Sequence, residues 1–151
     1  MGATVTLVSV DDGDLIRVRA RNGKVMTVRL ACIDAPEAAQ KPAGPAARAA
    51  LQALLPVGAS VTLKVRGVNR DGRTVAEVFK PGVPGSVNLR MVSQGMAFFD
   101  RQSRQGCDQY TYGEAETGAS VSKRGVWGPK LGYDLMFPWD YRQCRAEGRC
   151  R

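Results

Sequence analysis

Val5-Thr6-Leu7-Val8-Ser9-Val10 and Leu15-Ile16-Arg17-Val18-Arg19-Ala20 are two alternating runs joined by Asp11-Asp12-Gly13-Asp14. Alternation with period two turns one face of a strand inward and the other to water, and an aspartate–glycine turn between two such runs reads as a tight hairpin. In the second run Ile16, Val18 and Ala20 share one face, while Arg17 and Arg19 share the other. Asn22-Gly23 is a further hairpin signal, and a third strand follows over Val25 to Ile33. The chain therefore opens as a three-stranded meander.

Outward from that meander, Ala35-Pro36 stops the third strand. Gly44-Pro45 starts a helix running to Leu54, with the proline in its tolerant first turn. Ser60 to Val68 alternates again, Asn69-Arg70-Asp71-Gly72 turns, and a fifth strand covers Arg73 to Phe79. Ser86 reads as the N-cap of a short helix over Val87 to Gln94 with Gly95 as its stop, and a third helix covers Gln109 to Lys123. Trp127 is expected to pack back on the barrel. Five strands with a helix between the third and fourth predict an α+β fold, a five-stranded OB-fold β-barrel with about three helices. Residues 1–128 form that domain, and residues 129–151 read as an irregular basic extension packed on it.

The chain of 151 residues carries a net charge of +8 and contains no histidine. That absence removes phosphodiester chemistry built on a histidine base, nucleophile or zinc ligand. Of the 22 cationic residues 16 are arginine, whose planar fork matches phosphate oxygens, so the bias fits a polyanionic partner. No apolar run approaches membrane-spanning length, so no membrane helix is expected. Met1 to Val10 already alternates like a strand and lacks the basic start and long apolar stretch of a signal peptide. Of a cytosolic protein and a mature form without its leader, the second is favoured, which gives a secreted or periplasmic protein.

Cys32, Cys107, Cys144 and Cys150 include no C-x-x-C pair, which argues against structural zinc. Cys32 sits in an apolar stretch and reads as a buried thiol. The other cysteines fall in the loop-rich last third, where a Cys107–Cys144 bridge is expected to pin the tail.

Hydrolysing a phosphodiester requires neutralising charge at phosphorus, activating a water and aligning both. Asp14, where a hairpin turn becomes a strand, and Asp34, where the third strand ends, can meet at one end of a small barrel. With a backbone carbonyl they make an oxygen-only site suited to Ca²⁺. Each aspartate alone is better read as a turn former, and Glu37 alone as a surface loop residue. Arg29, in an apolar strand, is costly to bury without an anion. Arg73 offers a second fork. Strict alternation puts Arg29 and Asp34 on opposite faces, so a bend between them is required.

Val10-Asp11-Asp12-Gly13-Asp14, Val28-Arg29-Leu30-Ala31-Cys32-Ile33-Asp34-Ala35-Pro36-Glu37 and Asp71-Gly72-Arg73 resemble, in order and spacing, the staphylococcal nuclease (thermonuclease) family. Val87-Asn88-Leu89, Gln94-Gly95-Met96-Ala97 and Lys123-Arg124-Gly125-Val126-Trp127 match further family patterns. The resemblance covers Val5 to Trp127. It implies a Ca²⁺-dependent nuclease that cleaves DNA and RNA, leaving 3′-phosphate and 5′-hydroxyl ends. By position Asp14, Asp34 and the Ala35 carbonyl correspond to the metal ligands. Glu37 corresponds to the water-activating residue, Arg29 and Arg73 to the phosphate-binding arginines, and Asp12 to the neighbouring acid of the turn. Ala35 replaces the archetype's threonine, Leu15 a hydroxylated residue and Asp71 a tyrosine. The loop Ala38 to Ala43 is short. Phe98, Phe99, Tyr110 and Tyr112 are candidates for the base-stacking position.

The alternative is a catalytically silent barrel that binds single-stranded nucleic acid or a protein. Silent members of the family lose the acidic and arginine positions, and here Asp14, Asp34, Glu37, Arg29 and Arg73 all remain. Strands two to four also carry no aromatic residue, which argues against a stacking platform. A disulfide-stapled structural domain would leave the Arg29, Asp34 and Glu37 cluster unexplained. The expected partners are DNA and RNA, single-stranded by preference, bound by a monomer.

Overall fold

The barrel follows from the alternating runs. β1 (Ala3–Asp12) pairs antiparallel with β2 (Leu15–Arg19), and β2 with β3 (Val25–Leu30). The computed structural model describes residues 2–104, 106–132 and 134–150. A short β4 (Ile33–Asp34) leads to α1 (Ala43–Leu54), and then come β5 (Ser60–Val68) and β6 (Thr74–Phe79). The barrel closes in the order β1-β2-β3-β6-β5, with β3 and β6 parallel. Most of the inward set that alternation predicts is buried, Leu7, Ile16, Val18, Val28, Leu30, Leu63 and Val78 among it. Val65, on the same face as Leu63, is 55% exposed where the β5–β6 register shifts. Leu51 of α1 joins this core from outside the barrel wall. Removing such side chains from water is the main driving term for closure.

α2 (Val87–Ser93) is capped as expected, with Ser86 Oγ accepting the Leu89 N–H at 2.9 Å. β7 (Phe98–Phe99) pairs with β4 in a separate two-stranded sheet. α3 (Gln109–Val121) follows, and a short 3-10 turn, Gly125–Trp127, leads into the last segment. Trp127 packs on Phe98 in a second apolar cluster beside the barrel core rather than within it.

Some expectations are corrected. The third strand stops at Leu30 instead of Ile33, because Cys32 adopts a left-handed backbone (φ 73°) that ends the ladder. Cys32 is not a free thiol: it bridges to Cys107, and Cys144 pairs with Cys150. The expected Cys107–Cys144 bridge therefore does not form, because the turn after β3 lies against the loop that precedes α3. The tail is not irregular throughout either. Pro138 starts α4 (Pro138–Ala146), a fourth α-helix among the described residues, in the first-turn position where proline costs no hydrogen bond.

The Cys32–Cys107 bridge closes a loop with a sequence separation of 75 residues. Restricting so long a loop in the unfolded chain corresponds to about 4 kcal/mol. Cys107→Ser should lower the unfolding free energy by roughly 2–5 kcal/mol in urea titrations run under oxidising conditions. A change below about 1 kcal/mol would show that the bridge restrains little.

Candidate active site

The β1–β2 hairpin turns on Gly13 and Asp14, between the paired residues Asp12 and Leu15. Gly13 is required by contact: a Cβ there would stand 2.7 Å from the Ala47 Cβ and 2.8 Å from the Ala35 Cβ. The turn is thus pressed between α1 and the residues that follow β4. Asp14 is held twice, its carbonyl accepting the Leu30 N–H and its Oδ2 the Ala35 N–H, both at 2.8 Å. Arg48 reaches back from α1 to the Val10 carbonyl at 3.1 Å and steadies the end of β1.

Arg29 joins the two aspartates. Its Nη1 lies 3.1 Å from Asp14 Oδ2 and its Nη2 3.6 Å from Asp34 Oδ1, while Nη1 also donates to the Ile33 carbonyl at 3.1 Å. The bend that alternation demands is supplied by the left-handed Cys32. Asn88 of α2 fixes that bend. Its buried amide donates to the carbonyls of Ala31 (2.8 Å) and Ala76 (3.1 Å) and accepts the Val78 N–H at 2.9 Å. Backbone groups at the end of β3 are thereby satisfied without water.

Glu37 follows the Ala35-Pro36 turn with its side chain 38% exposed, beside the cleft rather than in the core. Its N–H donates to Gln40 Oε1 at 2.9 Å and its carbonyl accepts the Gln40 N–H at 2.8 Å. A Cβ on Gly44 would come within 2.0 Å of the Glu37 carbonyl oxygen, so this short loop rests directly on the start of α1. Asp12 sits close enough to feel its neighbours: burial raises its carboxyl above the usual range, and Asp14, Glu37 and Asp11 add to the rise. Burial also pushes Asp34 up, which the forks of Arg142 and Arg29 oppose.

Arg73 is placed differently. The parallel β3–β6 register sets Val75 beside Arg29, and alternation carries Arg73 to the same face. Asn69 Oδ1 accepts its backbone N–H at 3.0 Å. Among the described residues, the ion pairs that join Arg29, Asp14 and Asp34 do not include Arg73.

Arg142, on α4, is the site residue that sequence reasoning missed. Its Nη2 lies 2.6 Å from Asp34 Oδ2, and its Nη1 donates to Asp34 Oδ1 at 3.0 Å and to Glu37 Oε2 at 3.1 Å. Hydrogen bonding to Asp34 raises the pKa of this guanidinium further, so it is always charged. α4 reaches the site because Asp34 on β4 pairs with Phe98 on β7. The Phe98 ring packs edge-on to Trp127, Phe137 and Trp139 at 5.1–5.8 Å, anchoring the start of α4. Gln40 adds a bond to the Met136 carbonyl at 2.7 Å. Asp12, Glu37, Tyr141, Arg142 and Arg145 border an open cleft of about 360 Å³.

Among the stacking candidates, Phe98, Phe99 and Tyr112 are buried and cannot receive a base, whereas Tyr110 is 77% exposed. Tyr141, at the cleft, was not among them. Among the described residues no three His, Cys, Asp or Glu side chains converge to hold an ion. Asp14 and Asp34, both bridged by Arg29, nonetheless supply carboxylate oxygens of the kind a hard cation would take.

A closed five-stranded barrel with a carboxylate–arginine cluster at one end, beside a cleft bordered by both acids and arginines, has the architecture of an OB-type barrel. Comparison with known proteins makes this specific. The family model "Staphylococcal nuclease homologue" matches residues 27–129. A micrococcal nuclease of Shigella flexneri is 35% identical over 144 residues, covering 91% of this chain and 79% of that protein. A Haemophilus influenzae protein described as an uncharacterized endonuclease is 33% identical over 124 residues, covering 82% of this chain and 66% of its own length. The chain belongs to the staphylococcal nuclease family.

Proposed function

We propose that this protein is a Ca²⁺-dependent nuclease that hydrolyses phosphodiester bonds of DNA and RNA without discriminating the sugar, leaving 3′-phosphate and 5′-hydroxyl ends. The observation that carries this reading is the convergence of Asp14, Asp34 and Arg29 in one ion-paired cluster, with Glu37 at the adjoining cleft. The two relatives, one a nuclease and one an endonuclease by description, support the same reaction class.

The residues divide the work. Asp14 and Asp34, with the Ala35 carbonyl, would hold the cation, whose charge would offset that of the phosphate. Glu37 takes the proton of the attacking water. Arg29 and Arg73 donate their forks to phosphoryl oxygens and favour the more highly charged transition state. Single-stranded substrate enters such an open cleft most easily, and a monomer holds every residue the reaction needs. A secreted or periplasmic location is supported by the two disulfides, which persist in oxidising compartments.

Digestion of single-stranded DNA at mildly alkaline pH tests the reading. Cleavage is expected with Ca²⁺, none with chelator, and the products should carry 3′-phosphates. Tight binding without cleavage under any divalent metal would leave a binding module instead.

A further inference from the structure

Arg142 grips Asp34 side-on, one guanidinium nitrogen to each carboxylate oxygen, and uses one of the same nitrogens on Glu37. Asp34 is 2% exposed at its side chain, so both its oxygens face protein groups, with Arg29 Nη2 as the other cation nearby. Arg142 itself is 39% exposed, so its fork has water to swing into. α4 that carries it is docked through Phe137 and Trp139 on Phe98 and through the Gln40 bond to Met136. The guanidinium is therefore delivered to the acidic site by a built contact, from a part of the chain that lies beyond the matched family segment.

We propose that Arg142 is the internal cation of this site, occupying Asp34 in place of the divalent ion and released from it when that ion binds. The inference rests on the assignment of Asp34 as a metal ligand. The fork takes a lone pair on each oxygen of Asp34 and its positive charge repels a divalent ion there, so fork and ion compete for this carboxylate. The ion must therefore displace the fork, and its apparent affinity is reduced by the fraction of molecules in which the fork is closed. α4 thereby sets the metal concentration at which the site fills, and it keeps the buried Asp34 paired until then.

Calorimetric titration of Ca²⁺ into the intact, oxidised protein without nucleic acid tests this. Arg142→Ala should bind Ca²⁺ about tenfold more tightly than the native chain, as expected if the fork is closed in roughly nine molecules of ten. Arg142→Lys, which keeps a cation but loses the fork, should fall between the two. Arg19→Ala controls for the loss of one positive charge. Arg19 pairs with Thr6 and Val25, at the end of the β1–β2 hairpin away from Asp14, and this variant should bind as the native chain does. Arg142→Ala binding Ca²⁺ no more tightly than Arg19→Ala would overturn the proposal and leave the nuclease assignment standing. No Ca²⁺ binding by any variant would overturn the calcium assignment and this proposal together.

Discussion

Glu37→Gln should lower kcat on single-stranded DNA by about 10²- to 10⁴-fold while KM and Ca²⁺ affinity change by no more than a few-fold. The substitution keeps the length and planarity of the side chain and an oxygen for the 3.1 Å contact with Arg142. The loop is unaffected, because Gln40 binds Glu37 through its backbone N–H and carbonyl and not through its carboxylate. What is lost is the ability to accept a proton, the role proposed for Glu37 towards the attacking water. A general base acts on the transition state, so the loss should fall on kcat rather than on binding. Initial rates at saturating Ca²⁺ over a range of substrate concentrations separate the two parameters. A kcat loss below about tenfold would remove Glu37 from the role of base and point to another acid at the cleft, Asp12 being the nearest candidate by its electrostatic coupling to Glu37.

The barrel was legible because its signals are local. Period-two alternation and the Asp-Gly and Asn-Gly turns mark β1, β2, β3, β5 and β6 within a few residues of where they lie. The acids and Arg29 were legible as a set, and the demand for a bend between Arg29 and Asp34 followed from alternation alone. The place of the bend was hidden: the apolar run through Ile33 conceals a left-handed Cys32, and such a backbone is rare outside glycine and gives no sequence mark. The partner of Cys32 is set by where the loop before α3 comes to rest, which no spacing of cysteines encodes. In the sequence Gly13 is a turn former, yet its decisive property is the absence of a Cβ between Ala47 and Ala35. α4 was missed because its anchors, Phe137 and Trp139, lie at its beginning and little of the helix behind them is buried. Arg142 is one of several arginines in a basic tail. Only the Asp34–Phe98 pairing, which sets α4 over the acids, distinguishes it from Arg145 and Arg149.

Arg29→Lys should reduce kcat/KM by about 10²- to 10³-fold, the scale on which loss of one preorganised donor to a developing anion is felt. Arg29 has two duties that this substitution and Arg29→Ala separate. Between Asp14 and Asp34 it offsets the repulsion of neighbouring carboxylates, and its bond to the Ile33 carbonyl helps set the bend. In the proposed reaction its fork would span two phosphoryl oxygens, which an ammonium cannot do. Lysine keeps the charge and so much of the first duty, whereas alanine loses both. Arg29→Lys should therefore stay within about 1 kcal/mol of native stability, and Arg29→Ala should lose roughly 1–3 kcal/mol as Asp14 gives up its cation. Asp34 retains Arg142 in either variant, which limits the damage to one carboxylate. Paired urea titrations and steady-state rates make the distinction. If lysine restored activity to within tenfold of native, charge alone would suffice and the fork would have no part in the transition state. If activity fell only in proportion to the unfolded fraction, Arg29 would be a structural ion-pair partner, and the phosphate would have to be held by Arg73 and the arginines of α4.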